Sequence, residues 1–176
     1  MTSEANPTVA EFMTQLPATV APDLSLADAQ ERMYVNNIRH LVVARDGQVV
    51  GVITNRDIAV AASLEPIDPQ KTSVAAAMVS TPYTCDPGTP LVDVALQMEA
   101  HRYGCAIVVQ AGEAVGLFTT TDALRAVRAL ITGVNVEPAT KPTHLPDQPK
   151  ERPRVPHSKI GAHGAKSNAG VLVGKD

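Results

Sequence analysis

The feature that most constrains the fold of this chain is a tandem repeat. Residues of the first copy recur 65 positions later, without a gap, in the second. The matched pairs are Met13 and Met78, Pro17 and Pro82, Thr19 and Thr84, Pro22 and Pro87, Leu26 and Leu91, Met33 and Met98, Gly47 and Gly112, Gly51 and Gly116, Thr54 and Thr119, and Asp57 and Asp122. Solenoids use shorter units in larger numbers, so two copies of this length predict a pseudo-symmetric pair of domains that bury one shared face.

Each copy is predicted to contain a β-hairpin followed by a helix. In the first copy, apolar residues 40–44 and 49–53 flank Asp46-Gly47. An Asp-Gly pair between β-rich runs is a strong hairpin signal, because glycine accepts the positive φ of a tight turn. Polar residues then precede a helix-forming stretch at 58–62. The second copy repeats this order, with two strands and a helix at residues 104–109, 113–118 and 121–131.

Shorter elements precede each hairpin. Those of the first copy are a short helix at 8–13, an edge strand at 19–21 and an amphipathic helix from Leu26 to about Asn36. Those of the second copy are predicted at 74–78, 83–86 and 90–102. Each copy therefore predicts a β-α-β-β-α unit preceded by a small helix, which gives an α+β fold. The predicted boundaries are 8–64 for the first domain, 65–73 for a linker, 74–133 for the second domain and 134–176 for a tail.

The tail differs in composition from the rest of the chain. Six prolines between Pro138 and Pro156 arrive every three to four residues, which precludes helix or sheet and predicts a disordered or extended segment. Residues 138–176 carry seven Lys/Arg and three Asp/Glu, whereas residues 1–137 carry eight and fifteen. The tail is thus basic and the predicted folded part acidic. Because the tail has no aromatic residue to stack on bases, this pattern does not favour nucleic acid as a partner.

Composition narrows the protein class further. Hydrophobic residues make up 44% of the chain but aromatic residues only 3%, so the core is predicted to be aliphatic. No apolar run approaches the roughly 20 residues that cross a bilayer, and the first residues lack the pattern of a signal peptide. The two cysteines, Cys85 and Cys105, make no disulfide framework. These observations predict a cytoplasmic protein without a membrane partner.

Each copy ends its hairpin with the motif Gly-φ-φ-Thr-x-x-Asp, where φ is apolar, at residues 51–57 and 116–122. Two such motifs at constant spacing, within matched β-α-β-β-α units, resemble the cystathionine-β-synthase (CBS) domain family. The resemblance covers roughly residues 8–131. It implies two CBS domains packed through their sheets as a pseudo-two-fold module, two related clefts between them, and pairing of modules into a homodimer.

The resemblance also implies a ligand. Such clefts take adenosine-containing molecules such as AMP, ADP, ATP or S-adenosylmethionine as regulatory ligands, with no required cofactor. Carried over to this chain, Asp57 and Asp122 would accept hydrogen bonds from ribose hydroxyls, Thr54 and Thr119 would contact ribose or phosphate, and the edge strands would line the base pocket. The candidate ligand-binding residues are Thr19, Val20, Ala21, Thr54, Asn55, Arg56, Asp57, Tyr83, Thr84, Cys85, Thr119, Thr120, Thr121 and Asp122.

The chemistry of the motif agrees with this implication but also allows a simpler one. A carboxylate can accept from both hydroxyls of a ribose, and a threonine at a helix N-terminus lies where backbone N–H groups favour anions. Thr-x-x-Asp is equally an ordinary capping box. Arg56 in the first copy adds a possible phosphate contact, and Thr121 stands at the equivalent position of the second. If only one cleft binds phosphate strongly, this difference favours the cleft that holds Arg56.

The sequence predicts a regulatory role more than a catalytic one. It contains no nucleophile elbow and no paired carboxylates apart from the repeated aspartate. Cys85, Cys105, His40 and His101 lack the close spacing of a zinc site. The first hypothesis is therefore a stand-alone regulatory module that signals to an unknown effector protein. The alternative is a ligand-free module for dimerisation or protein interaction.

Overall fold

The computed structural model of the protein describes residues 6–64 and 67–134. The first repeat comprises a 3-10 helix (Val9–Glu11), β1 (Thr14–Gln15), β2 (Thr19–Val20), α1 (Leu26–Val35), β3 (His40–Arg45), β4 (Gln48–Thr54) and α2 (Asn55–Leu64). The second comprises a 3-10 helix (Val74–Ala76), β5 (Thr84–Cys85), α3 (Leu91–His101), β6 (Cys105–Gln110), β7 (Glu113–Thr119) and α4 (Thr120–Thr132). The predicted α+β fold with two β-α-β-β-α repeats is confirmed, and the predicted tail lies outside the described residues.

Local sequence signals account for most of these elements. Asp46 and Gly47 both have positive φ, 51° and 80°, as the predicted β3–β4 hairpin turn requires. Ser25 caps α1, since its hydroxyl accepts a hydrogen bond from the Asp28 backbone N–H at 3.1 Å. Gly133 ends α4 in the left-handed conformation at φ 66°. The hairpins and helices therefore form where their turn and cap residues direct them.

The strands form two sheets, and the N-terminal segment of each repeat pairs with the sheet of the other repeat. One sheet has the order β2-β3-β4 and the other β1-β7-β6-β5, so β1 of the first repeat pairs antiparallel with β7 of the second. The reciprocal contact is a bridge between Val52 on β4 and Val79, which precedes β5. Each repeat thus contributes backbone hydrogen bonds to the sheet of the other, and the two repeats form one module.

The hydrophobic cores follow the same exchange. Val9, from the chain before β1, is fully buried with Leu91, Val94 and Phe118 of the second repeat. Val74 is fully buried among residues of the first repeat, such as Leu26 and others of that cluster. The predicted short helix of each copy therefore completes the core of the opposite copy. Neither core closes without the chain segment that the other repeat supplies.

The exchange also explains the glycine that opens each motif. A Cβ atom on Gly51 would lie 2.7 Å from Met78 Sδ and 2.8 Å from the Val79 carbonyl oxygen, closer than real contacts allow. A Cβ atom on Gly116 would clash in the same way with Met13. The methionine near each exchanged segment packs directly on the backbone of the opposite sheet. Glycine is required at Gly51 because a Cβ atom would also meet the Val79 backbone, whereas at Gly116 the flexible Met13 side chain would have to move.

A third cluster lies between the two sheets. Val42 and Val52 of the first repeat pack with Cys105, Ile107 and Leu117 of the second. Burial of this face joins the two sheets. Hairpin pairing places the C-terminal end of β4 beside the N-terminal end of β3, and that of β7 beside that of β6. Within the described residues, every helix is too short or too polar to cross a membrane.

Candidate functional site

A cleft of about 750 Å³ opens between the repeats where β7 meets α4. From the first repeat it is lined by Thr14, Pro17, Ala18 and residues 36–40, which connect α1 to β3. From the second repeat it is lined by Leu117, Thr119, Thr121, Asp122 and Arg125. Neither repeat forms this cleft alone, because its two walls come from different copies of the unit.

The Thr119-x-x-Asp122 motif lies in one wall of the cleft as a capping box. The Thr119 backbone N–H and hydroxyl both donate to Asp122 Oδ2, at 2.8 and 2.6 Å. These bonds satisfy donors at the start of α4 and place the carboxylate at the helix N-terminus. The capping interpretation of the motif is therefore realised, and the same residues line the cleft.

The second oxygen of Asp122 is also occupied. Arg125, one turn further along α4, donates to Asp122 Oδ1, and the Thr14 hydroxyl lies 3.4 Å from the same atom. Asp122 is only 2% exposed, so the guanidinium compensates a buried charge. A ribose hydroxyl can reach this carboxylate only by displacing Thr14 or Arg125, and the Thr14 contact is the longer and weaker of the two.

The equivalent motif of the first repeat has the same cap but a more open carboxylate. The Thr54 N–H and hydroxyl donate to Asp57 Oδ2 at 2.8 and 2.6 Å. The position equivalent to Arg125 is Val60, which cannot donate. Asp57 is half-buried, and across residues 6–64 and 67–134 no side chain donates a hydrogen bond to its Oδ1. The two carboxylates thus differ in availability, although their caps are alike.

Two arginines line the cleft, and only Arg39 adds net positive charge because Arg125 is paired with Asp122. Arg39 is exposed and its guanidinium lies 3.5 Å from the Thr121 hydroxyl across the cleft. Arg125 lies on the opposite wall, with 19% of its side chain exposed. Guanidinium groups bind phosphate oxygens through paired hydrogen bonds. Sequence reasoning assigned neither arginine a role; the spacing of Arg125 three residues after Asp122 was the signal available for one of them.

His40 lies between the two motifs. It pairs with Thr54 across the β3–β4 ladder and lines the cleft that holds Asp122. Burial lowers the pKa of His40 below its ordinary value of 6.5, and Arg39 lowers it further, while Asp57 and Asp122 oppose the shift. The imidazole is therefore neutral at pH 7, so one ring nitrogen can donate a hydrogen bond and the other can accept one.

The residues that precede the first edge strand line the cleft of Asp122, and the strand itself does not. Thr19 and Val20 form β2, which pairs with β3, and Val20 is 5% exposed in the core of the first repeat. The cleft is lined instead by Pro17 and Ala18, which precede that strand, whereas Thr19, Val20 and Ala21 are not among its lining residues. The residues just before the edge strand therefore face the cavity.

The remaining candidate residues lie on β5, on the first turns of α2 and α4, and just before β5. Thr84 and Cys85 form β5, and Tyr83 stacks on Tyr103 with ring centroids 5.6 Å apart. Arg56 is exposed on the first turn of α2 and Thr120 begins α4. Asn55 Oδ1 is the one buried side-chain polar atom in the described residues without a hydrogen-bond partner. None of these residues lines the cleft of Asp122.

The two cysteines are not reactive thiolates. Burial raises the pKa of Cys85 to about 11, with a smaller contribution from Asp86. Burial raises the pKa of Cys105 to about 11 as well, assisted by Asp57. In residues 6–64 and 67–134 no group of three His, Cys, Asp or Glu side chains is arranged to hold a metal ion. Both cysteines pack as small apolar residues at neutral pH.

Comparison with known proteins identifies the family. A family model described as CBS domain matches the chain twice, over residues 9–63 and 74–129, which together make up more than half of it. The protein belongs to the CBS domain family. The two matches fall on the two copies of the repeat, so the family resemblance of the motifs is confirmed.

Two curated relatives differ in how much of their length this CBS pair covers. L-aspartate semialdehyde sulfurtransferase of Methanosarcina acetivorans is 30% identical over 135 residues, which are 76% of this chain but 24% of the sulfurtransferase. CBS domain-containing protein YhcV of Bacillus subtilis is 28% identical over 114 residues, which are 65% of this chain and 81% of YhcV. The chain therefore spans about a quarter of the first relative and most of the second.

A solved structure of similar fold contains ligands. The CBS domain pair of protein MJ0100, in complex with 5′-methylthioadenosine and S-adenosyl-L-methionine, superposes with a TM-score of 0.65 at 25% identity. The superposition covers 72% of this chain and 99% of that pair. Both molecules bound in that relative contain adenosine.

Proposed function

We propose that this CBS pair is a regulatory module that binds an adenosine-containing nucleotide and passes the signal to a partner protein, without catalysing a reaction itself. The observation that carries the proposal is the cleft of about 750 Å³ between the repeats. Its volume falls within the roughly 300–1,000 Å³ of small-molecule sites, and it combines an apolar wall with a few polar groups, as such sites do.

The lining of the cleft matches the parts of a nucleotide. Ala18 and Ile38 offer apolar surface to a base, since both are partly buried against the core of the first repeat. The Thr119–Asp122 cap lies where ribose hydroxyls would form hydrogen bonds. Arg39 flanks the same space, is exposed and suits a phosphate, because a guanidinium binds phosphate as a planar, bidentate donor. Arg125 lines the cleft too, but it donates to Asp122. The 5′-methylthioadenosine and S-adenosyl-L-methionine bound in the related MJ0100 pair support an adenosine-containing ligand.

Arg39 favours AMP, ADP or ATP over S-adenosylmethionine. The charge of Arg125 is compensated by Asp122, but a sulfonium cation near Arg39 adds like charge, whereas a phosphate neutralises it. Because the ligand would contact both repeats at once, it would bias their relative packing. That bias can be no larger than the difference in ligand affinity between the two packings. An effector protein would then read the geometry of the module.

Isothermal titration calorimetry tests the ligand class. We expect AMP, ADP or ATP to bind the wild-type protein, and Arg39→Gln to weaken phosphate ligands by roughly tenfold, since a hydrogen bond to a charged group contributes about 1.5–3 kcal/mol. Binding of S-adenosylmethionine should not weaken in that variant. Arg128→Gln is the matched control, because Arg128 is also exposed but does not line the cleft. Failure of all four compounds to bind at millimolar concentration would refute the proposal.

A second candidate function, an interaction or dimerisation module, is favoured by the outer face of the second repeat. There α3 and α4 expose a run of large apolar side chains: Val92, Leu96, Leu124, Val127, Leu130 and Ile131. Leu124 and Ile131 are 71% and 79% exposed. A groove of about 400 Å³ runs between the two helices. Apolar surface of this extent on two helices is typical of an interface, and we propose a homodimer through it.

Sedimentation velocity tests this assembly. We expect the wild-type protein to sediment as a dimer at micromolar concentration and Leu124→Glu to sediment as a monomer, because a buried charge at the interface has no partner. Ala59→Glu is the control, since Ala59 is the equivalent residue of the first repeat. A monomeric wild-type protein at high concentration would exclude the homodimer.

A further inference from the structure

The internal symmetry of the module relates the cleft of Asp122 to a second surface, beside Asp57. Three residues that line the first cleft, Ala18, Ile38 and Asn36, have as equivalents 65 positions later Tyr83, Tyr103 and His101. Three side chains without rings in the first cleft thus correspond to three ring-bearing side chains at the surface beside Asp57.

The backbones at these positions are held in the same way in both repeats. The Ala18 carbonyl accepts from Val42 N at 3.0 Å, and the Tyr83 carbonyl accepts from Ile107 N at 2.9 Å. Ile38 N donates to the Met33 carbonyl at 2.9 Å, and Tyr103 N donates to the Met98 carbonyl at the same distance. The preceding residues, Asn37 and Arg102, share the left-handed conformation at φ 50° and 57°. Equivalent backbones direct equivalent side chains to equivalent places.

The three rings stack on one another. Tyr83 and Tyr103 have centroids 5.6 Å apart and planes inclined by 15°. His101 and Tyr103 have centroids 5.1 Å apart with an inclination of 10°. Aromatic pairs in direct contact have centroids roughly 4.5–7 Å apart, so these rings touch. A base inserted between them would need about twice the spacing of a directly stacked pair.

We infer that Tyr83 and Tyr103 fill the base position of the second cleft, so that the chain binds one adenosine ligand, in the cleft of Ala18 and Ile38. The inference rests on the proposed function, whose site it restricts to one of the two clefts. The stack is intramolecular and therefore costs no association entropy, which gives it an advantage over a free base at the same position. The motif beside Asp57 keeps its cap and serves the structure alone.

The inference reverses the sequence-based preference for the cleft that holds Arg56. That preference considered the phosphate contact only. Arg56 is exposed on the first turn of α2 and is not among the residues that line the open cavity, whereas Arg39 and Arg125 line it. The base pocket, and not the phosphate contact, decides which cleft is usable.

Ligand stoichiometry tests the inference. Calorimetric titration with AMP, and in parallel with S-adenosylmethionine, should give one site per chain for the wild-type protein. Tyr83→Ala combined with Tyr103→Ile places the first-repeat residues in the second cleft and should give two sites. Ala18→Tyr combined with Ile38→Tyr should abolish binding. Tyr34→Ala is the control, because Tyr34 is 68% exposed on α1 and outside the cleft, and it should leave one site.

The outcomes separate this inference from the proposed function. Two sites in the wild-type protein, or one site in the Tyr83/Tyr103 variant, would overturn the inference while leaving nucleotide binding intact. A wild-type protein that binds nothing and a variant that binds one ligand would support the closed second cleft and refute the proposed site. No binding by either protein would overturn both. Tyr83→Phe with Tyr103→Phe keeps both rings and must retain one site. This control separates the removal of the rings from the mere replacement of both tyrosines in the Tyr83→Ala/Tyr103→Ile variant.

Discussion

Ala18 and Tyr83 occupy equivalent positions in the two repeats, and the surfaces they shape differ. Around Ala18 a cleft of about 750 Å³ lies open; around Tyr83 two further rings are stacked. The backbone hydrogen bonds at the two positions are the same. The difference at these positions therefore arises from the side chains and not from the backbone, so a duplicated unit can keep its fold while its two surfaces diverge.

The two aspartates show a second difference of this kind. Asp122 is buried and receives hydrogen bonds on both oxygens, one of them from Arg125. Asp57 has the same cap, but Val60 stands where Arg125 would be. One carboxylate is part of a charge pair that lines the open cleft, and the other is a half-buried capping residue. The same Thr-x-x-Asp motif thus lies in two different electrostatic environments in the two repeats.

Among substitutions at positions where the two repeats differ, the largest loss of unfolding free energy is expected in the core. Phe118 is 1% exposed, and its equivalent in the first repeat is the smaller Ile53. Phe118→Ala should lower the free energy of unfolding by about 3–5 kcal/mol, because it leaves a cavity. Phe118→Ile should cost less, since the first repeat already packs isoleucine there. Urea unfolding followed by circular dichroism measures both, and equal losses would contradict the cavity argument.

A somewhat smaller effect is expected at the charge pair. Arg125→Val installs the first-repeat residue and leaves Asp122 buried without its cation, which should cost roughly 3 kcal/mol of unfolding free energy. Asp122→Asn in the same chain should restore part of that loss, because the uncompensated charge is removed. A single Arg125→Val variant as stable as the wild type would show that Asp122 is solvated after all. Chemical unfolding at pH 7 is the measurement.

The smallest effect is the pH dependence contributed by His40. Folding lowers the pKa of His40 from 6.5, so as the pH falls the unfolded chain binds this proton before the folded chain does. The free energy of unfolding is therefore unaffected by His40 above about pH 6.5 and declines as the pH falls below that value. His40→Gln should flatten stability in that window. Its equivalent Cys105 has a pKa raised to about 11 and affects stability at alkaline pH instead. There the free energy of unfolding falls as the pH rises above about 9, because the thiol ionises first in the unfolded chain. Urea midpoints from pH 5 to 10 separate the two.

Local signals predicted much of the fold. The Asp46-Gly47 turn, the Ser25 cap and the Thr-x-x-Asp corners each depend on residues close in sequence, so their structures could be derived without the tertiary fold. The start of α2 at Asn55, three residues before the predicted helical stretch, follows from the Thr54–Asp57 cap that the same pattern indicated. The family and its two-copy architecture followed from the constant spacing of the matched residues.

The arrangement of the site required long-range contacts. Arg39 and Arg125 are 86 positions apart in the chain and meet only because the sheets pack face to face. The placement of Pro17 and Ala18 in the cavity depends on β2 pairing parallel to β3, which directs the edge strand into the core. Sequence spacing carries no information about which of several neighbouring residues faces a cavity in another domain.

The sequence by itself determined the repeat, the order of its elements and the polar motif at each strand-to-helix corner, because turns, caps and periodicity act over a few residues. Only the tertiary structure decided that Val9 and Val74 each complete the core of the opposite repeat, that Asp122 is paired with Arg125 beside an open cleft, and that Tyr83 stacks on Tyr103. These features depend on which surfaces meet when two similar units pack, and the side chains that differ at equivalent positions then make the two copies unequal.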